Sequence, residues 1–266
     1  MPSAFNVMPL FDREPRVPRT RLGTPLERDA TVSKEAPRTP WDMFIREWDW
    51  KQGEHVGLIG PTGAGKTSLL IRILEKRRFI AVCATKPKDS TMDYLIQNGY
   101  ELFESWQKVS ATQFPKRVIW PDARRIDSDE LQKSIFTKMY AEIYREGGWA
   151  IVIDEGYIMS ETLGLKKQMR QVWTQGRSLG ISQVVATQRP RWIPLEMYDQ
   201  STHLFFWQNQ DSRSLDVLGD INGRNPSLVK GLVANLDKYQ VLYVNSRSGK
   251  MLRTTPPAPS FDTTGK

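Results

Sequence analysis

Short apolar runs bounded by polar turns recur from residue 54 to residue 244, and stretches with apolar residues three or four apart lie between them. Glu54 to Ile59 (EHVGLI), Phe79 to Ala84 (FIAVCA), Val118 to Trp120, Trp149 to Ile153, Ile181 to Gln188, His203 to Gln208 and Tyr239 to Val244 read as strands. Several are continuous enough to be buried on both faces, as strands of a parallel sheet are. Leu69, Leu70, Ile73 and Leu74 fall at helical spacing. So do Leu131, Ile135, Met139 and Ile143, which predict an amphipathic helix over 129–146 with that face inward. Leu165, Met169 and Val172 mark one face of a helix from Glu161 to Arg177, with Lys166, Arg170, Trp173 and Arg177 near another. Helical stretches near 211–219 and 226–236 complete the series, the second opened by Asn225-Pro226. Alternating strands and helices predict an α/β fold, a central and mainly parallel sheet flanked by helices.

The pattern stops at both ends. Residues 1–40 carry Pro2, Pro9, Pro15, Pro18, Pro25, Pro37 and Pro40, which interrupt any regular period and predict an extended arm. Arg13, Arg16, Arg19 and Arg21 make the arm either a strap for a neighbour or for phosphates, or a tail without a role. Trp41, Phe44, Trp48 and Trp50 then gather just before the first strand, as packing residues. After Val244 the sequence predicts only a turn at Ser248-Gly249 and a Pro-rich tail, so the folded domain is placed at 41–247 and the tail at 248–266. A chain of 266 residues accommodates one sizeable α/β core with such extensions.

Charge and cysteine content narrow the picture. Lys+Arg of 38 against Asp+Glu of 30 gives a formal net charge of +8, which favours a polyanionic partner. The single cysteine, Cys83, lies inside an apolar run and cannot form an internal disulfide, which suits a reducing, cytoplasmic compartment. His55 and His203 are the only histidines; they do not suffice for a cysteine–histidine zinc site and are expected to be structural. No run approaches the ~20 apolar residues of a membrane span, so the expectation is a soluble protein with no membrane partner.

The chemistry begins at Gly60-Pro61-Thr62-Gly63-Ala64-Gly65-Lys66-Thr67, which fits the P-loop pattern G-x-x-x-x-G-K-[ST] at every fixed position. Backbone N–H groups of such a glycine-rich turn point at anionic oxygens, and the helix opening at Lys66, Thr67 and Ser68 adds its positive end. Lys66 is expected on the β- and γ-phosphates of ATP and the Thr67 hydroxyl on a Mg²⁺ that bridges them. A second landmark is Ile151-Val152-Ile153-Asp154-Glu155, a buried strand running into two carboxylates. This Walker B arrangement would let Asp154 hold the metal and Glu155 polarise a water aimed at the γ-phosphate. The strand ending at Gln188 should bring an amide beside that pair. Lys86 and Lys88, in the turn after FIAVCA, lie at a sheet edge where ligands bind and could either touch a phosphate backbone or face solvent.

Gly176-Arg177-Ser178-Leu179-Gly180-Ile181, leading to Ala186-Thr187-Gln188-Arg189-Pro190, resembles the corresponding stretch of the FtsK/HerA superfamily of DNA-pumping ATPases, and the GPTGAGKT and VIDE elements match that group as well. The resemblance spans roughly Trp41 to Tyr243. It implies a RecA-like (ASCE) P-loop NTPase fold, with Lys66 and Thr67 on nucleotide and metal, Asp154 supporting Mg²⁺, Glu155 as catalytic base and Gln188 as sensor. It also implies a homo-oligomeric ring, pentameric or hexameric, in which an arginine of one subunit reaches its neighbour's γ-phosphate; Arg177 is the first candidate and Arg189 the second. The compact members it is most similar to are the genome-packaging ATPases of viruses and phages, whose partners are double-stranded DNA and a capsid portal.

Other readings stay open. A protein-export ATPase of phage assembly, a DNA-transfer ATPase of a mobile element, and a kinase or switch all use the same P-loop; pairing Glu155 with Gln188 argues for water as the phosphoryl acceptor. The loop Arg189-Pro190-Arg191-Trp192-Ile193-Pro194 either faces a neighbour or DNA, or is pinned by Trp192 in the core.

Overall fold

The computed structural model describes residues 35–122, 128–211 and 226–257. The arm up to residue 34, the helix expected near 211–219 (Asp211 apart) and the last nine residues lie outside these segments.

Helix α1 (Trp41–Glu47) precedes strand β1 (His55–Ile59), which feeds through the P-loop into α2 (Lys66–Leu74). The chain continues through β2 (Ile80–Cys83), α3 (Ser90–Gln97), β3 (Glu101–Phe103) and β4 (Lys116–Ile119). A long helix, α4 (Ser128–Glu146), leads to β5 (Ala150–Ile153), α5 (Lys166–Gln175) and β6 (Ser182–Thr187). Helix α6 (Glu196–Gln200), β7 (Ser201–Trp207), α7 (Pro226–Ala234), β8 (Val241–Asn245) and β9 (Met251–Thr254) complete the fold.

Among the described residues nine strands form one sheet in the order β3-β4-β2-β5-β6-β1-β7-β8-β9. All neighbours from β3 through β7 pair in parallel, while β7–β8 and β8–β9 are antiparallel. Strand β6 therefore sits between the P-loop strand β1 and the carboxylate strand β5, and the C-terminal ends of all three share one edge. This is the α/β, RecA-like arrangement expected from the motifs.

Alternation along each strand divides the core between the two faces. Ala81, Cys83, Ile151, Ile153 and Val185 face α4, α5, α6 and α7, which contribute Phe136, Met139, Met169, Met197 and Val233. Val56, Leu58, Ile80, Val82 and Val152 face α1, α2 and α3, which contribute Phe44, Leu69, Leu70, Ile73 and Leu95. Burial of both faces accounts for the unbroken apolar runs. The aromatic cluster packs as expected: Phe44 lies edge-on to Phe205 at 6.0 Å, and Trp48 stacks on Trp50 at 5.6 Å.

The structure departs from the sequence reading in several places. The inward stripe of α4 is Gln132, Phe136, Met139, Tyr140 and Ile143, while Leu131 and Ile135 are only half-buried. Tyr140 joins the inner face because its polar tip is partnered there, donating to Gln183 Oε1 at 2.9 Å, whereas Gln132 is buried with its Oε1 unpartnered among the described residues. The helix expected over 161–177 is shorter, entered from a π-turn at Ile158–Thr162 and followed by a 3₁₀ turn at Gly176–Leu179. Trp173, expected on its polar face, is buried with the Met169–Val172 stripe because an indole's apolar area outweighs its one polar atom. Trp192 is 52 % exposed, so it does not pin its loop; Pro190, Ile193 and Pro194 are the buried residues there.

The segment expected as a tail from 248 supplies β9. Asn245 Oδ1 accepts from the N–H groups of Arg247 and Ser248 at 3.1 and 3.0 Å, turning β8 back into a hairpin. Strand β9 pairs with β8 and is bridged at Arg253 by Arg38, so residues 36–39 of the expected arm dock on the last strand. Among the described residues no helix is long and apolar enough to cross a membrane.

Both histidines are structural, as expected. His55 Nδ1 accepts from the Gln183 N–H at 3.0 Å. His203 lies between Glu54 Oε2, 3.0 Å from Nε2, and Trp48 Nε1, 3.0 Å from Nδ1. An indole N–H only donates, so the His203 proton sits on Nε2 and faces the carboxylate.

Candidate functional site

The P-loop leaves β1 at Gly60 and enters α2 at Lys66. Gly65 caps the helix with φ 103°, a left-handed conformation that side chains other than glycine rarely adopt. At Gly60 a Cβ would stand 2.7 Å from Trp207 Cβ, so the loop can lie against β7 only as glycine. Lys66 Nζ donates to the carbonyls of Gly60 and Pro61 at 2.8 and 2.9 Å, curling over the loop it belongs to.

The two carboxylates lie beside it. Thr67 Oγ1 donates to Asp154 Oδ1 at 3.3 Å, which joins the first turn of α2 to the end of β5 across the intervening β6. Gln188, one residue past β6, donates from Nε2 to Glu155 Oε2 at 3.3 Å and accepts from the Thr62 hydroxyl. One amide thus bridges the carboxylate and the phosphate loop. Glu155 Oε1 is buried and has no hydrogen-bond partner among the described residues. Burial pushes the pKa of Asp154 up, against the charges of Lys86 and Lys66 and with that of Asp89. Burial likewise raises Glu155, reinforced by Asp154 and opposed by Lys86, Lys66 and Arg189. Lys66 is lowered by desolvation despite both carboxylates. A carboxylate with raised affinity for a proton and an unsatisfied oxygen is equipped to take a proton from water.

The structure brings together Gly60 through Ser68, Asp154, Glu155 and Gln188. It separates the two arginines. Arg189 follows Gln188 directly, lies 5.0 Å from the Tyr157 ring and acts electrostatically on Glu155. Arg177 is exposed in the turn before β6, where its carbonyl lies 2.7 Å from a Cβ built on Gly53. Six strand residues separate it from the P-loop edge, about 20 Å at ~3.3 Å per residue. Lys86 is the site residue that the sequence left between two roles. It follows β2 at the same edge, 3.8 Å from Asp89, and is the leading cation acting on both carboxylates. Its position at a strand's C-terminal end was the available signal.

A phosphate loop, a hydroxyl–carboxylate pair and a bridging amide at the ends of three neighbouring strands define the RecA-like class of P-loop NTPases, the fold implied by the resemblance to the FtsK/HerA superfamily. Solved structures agree on that fold. The chain is similar to B204, the DNA-packaging ATPase of Sulfolobus Turreted Icosahedral Virus, with a TM-score of 0.60 and 16% identity over 78% of this chain and 100% of that one. It is similar also to the genome packaging NTPase B204 of Sulfolobus turreted icosahedral virus 2 in complex with ATP-gammaS, with a TM-score of 0.54 and 14% identity over 76% and 97% of the two chains. The cytoplasmic domain of the Thermomonospora curvata Type VII Secretion ATPase EccC aligns with a TM-score of 0.52 and 15% identity over 80% of this chain and 27% of that one. No protein-family model and no curated protein matches the sequence.

Proposed function

We propose that the chain is an ATP-hydrolysing pump for double-stranded DNA that works as a ring of identical copies, the genome-packaging motor of a virus or phage. The observation that carries the hydrolytic part is Gln188 bridging Glu155 and Thr62 beside the Thr67–Asp154 pair. In this reading the loop N–H groups and Lys66 bind the β- and γ-phosphates of ATP. Glu155 takes the proton of a water aimed at the γ-phosphate, and Gln188 orients that water while registering the phosphate through Thr62. Thr67 and Asp154 offer two hard oxygens 3.3 Å apart, a donor set that suits Mg²⁺ completed by phosphate and water. Bound there, the metal would neutralise charge on the phosphates. Lys86 adds a second cation at the same edge.

The arginines divide by position. Arg177, a strand length from its own P-loop and exposed, suits a finger offered to the neighbouring copy's γ-phosphate. Arg189 suits a role within its own subunit, next to Glu155. The net charge of +8 supports a polyanionic cargo, and the likeness to two viral packaging ATPases supports DNA as that cargo; a capsid portal is the partner this reading requires. The likeness to a secretion ATPase favours a second reading in which the cargo is protein.

Steady-state ATP hydrolysis with and without double-stranded DNA, alongside Glu155→Gln, separates these readings. The motor requires severalfold stimulation by DNA and a loss of about 10²-fold or more in Glu155→Gln. A basal rate that the variant abolishes but DNA leaves unchanged would transfer the assignment to a protein cargo. Hydrolysis unaffected by Glu155→Gln would remove the proposed chemistry altogether.

A further inference from the structure

The P-loop opens sideways into a cleft of about 680 Å³ that phosphate binding does not account for. One end is the loop itself; the other is walled by Trp207, Tyr239, Pro256 and Pro257. These come from β7, the turn before β8 and the segment after β9, so three parts of the chain distant in sequence meet beside one glycine-rich loop. We propose that this cleft is the nucleobase slot of the site and that Tyr239 binds the base by stacking. The inference rests on the P-loop holding a nucleotide.

Tyr239 is 49 % exposed, and a Cβ on Gly65 would lie 3.8 Å from its ring. Its φ of 63° is the left-handed conformation that a bulky residue rarely takes, the sole such case among the described non-glycine residues. The turn that imposes it is tied down: the Gln240 N–H donates to the Asp237 carbonyl at 3.0 Å, and Arg38 pairs with Asp237 at 3.0 Å. An aromatic ring held in an uncommon conformation beside a phosphate loop presents a flat apolar surface to the cleft that the loop opens into.

Trp207 adds an independent sign of a ligand. The residue is 1 % exposed, yet among the described residues its Nε1 has no hydrogen-bond partner, and it stands 3.6 Å from a Cβ built on Gly65. A buried indole N–H is costly to leave unpaired. A ribose or phosphate oxygen of a nucleotide lying along the loop would satisfy it. Pro256 and Pro257 form the other wall, rigid and without N–H groups. Arg72 of α2 donates to the Pro257 carbonyl at 3.5 Å, which tethers that wall to the P-loop helix.

The test compares a ligand with a base and one without. Binding of ADP and of inorganic pyrophosphate, each with Mg²⁺, is measured by calorimetry on the full chain, on Tyr239→Ala and on Tyr239→Phe. Stacking on a base predicts that Tyr239→Ala weakens ADP about tenfold and leaves pyrophosphate unchanged, while Tyr239→Phe binds both like the native chain. Equal weakening of both ligands, or of neither, would overturn the slot. Native ADP binding no tighter than pyrophosphate binding would overturn it too, leaving the P-loop assignment intact. A native chain that binds neither would remove the nucleotide reading and the slot together.

Discussion

Acid should weaken the fold through His55. Burial lowers its pKa from 6.5 to about 4, helped by the charges of Arg247 and Arg177 and opposed by a backbone hydrogen bond at Trp173 and by Glu54. The geometry agrees: Nδ1 already accepts from the Gln183 N–H at 3.0 Å, so a proton there would displace a bond that fixes β6. The folded pKa lies below the unfolded one, so between pH 6.5 and 4 the unfolded chain binds more protons. Stability is therefore full above the unfolded value and falls as the pH drops through the window. At about 1.4 kcal/mol per pH unit, the loss from pH 7 to pH 5 is about 2 kcal/mol, and over the whole window on the order of 3 kcal/mol. His203, lowered by burial against its Glu54 bond, adds a loss of the same sign. Asp154 and Glu155, which are raised, act in the opposite direction. Those groups are common to the native chain and to His55→Gln, so the difference between the two isolates His55. Urea unfolding of both at pH 7 and pH 5 should show the native chain losing about 2 kcal/mol more than the variant. Parallel losses would refute the reasoning.

Two further outcomes are expected. Arg117 is 1 % exposed, donates to the carbonyls of Phe114, Gln107 and Val109 at 3.0 Å each, and lies 4.5 and 4.6 Å from the Trp106 and Trp149 rings. Arg117→Met should cost about 3–5 kcal/mol in urea unfolding at pH 7, because three carbonyls lose their donor; a cost under about 1 kcal/mol would mean the loop repairs itself. Gln188→Ala should lower kcat on the order of 100-fold with ADP affinity unchanged within about twofold, since the amide touches Glu155 and Thr62 rather than the phosphate loop's N–H groups; an equal loss of ADP affinity would make Gln188 a structural brace.

The sequence by itself determined whatever depends on neighbours a few residues away. The glycines and Lys66-Thr67 state their chemistry locally, because a left-handed turn followed by a helix is specified by residues within one loop. The strands β1, β2, β5, β6 and β7 were legible because burial on both faces leaves unbroken apolar runs, and the carboxylates ending β5 and the amide following β6 came with them. Strand β3 was not legible: its three residues are mostly exposed at the sheet edge and carry no such run. Nor was β9, whose pattern is short and whose partner is β8. The rotated stripe of α4 and the burial of Trp173 depend on which helix faces which strand, a matter of packing across the chain rather than of period.

Tertiary structure alone decided the order of strands, and with it the site. Placing β6 between β1 and β5 is what brings Gln188 within reach of both Glu155 and Thr62. Strand β6 itself, by contrast, sends Arg177 to one edge of the sheet and Arg189 to the other, because its six residues run between them. Lys86 comes to act on Asp154 and Glu155, and Trp207, Tyr239 and Pro257 share their cleft, only when the sheet closes around α2. Periodicity and turn chemistry act over about a dozen residues, whereas the contacts of Gln188 join residues 33 and 126 positions apart. Their energies are decided by burial, which no local stretch of sequence can achieve alone.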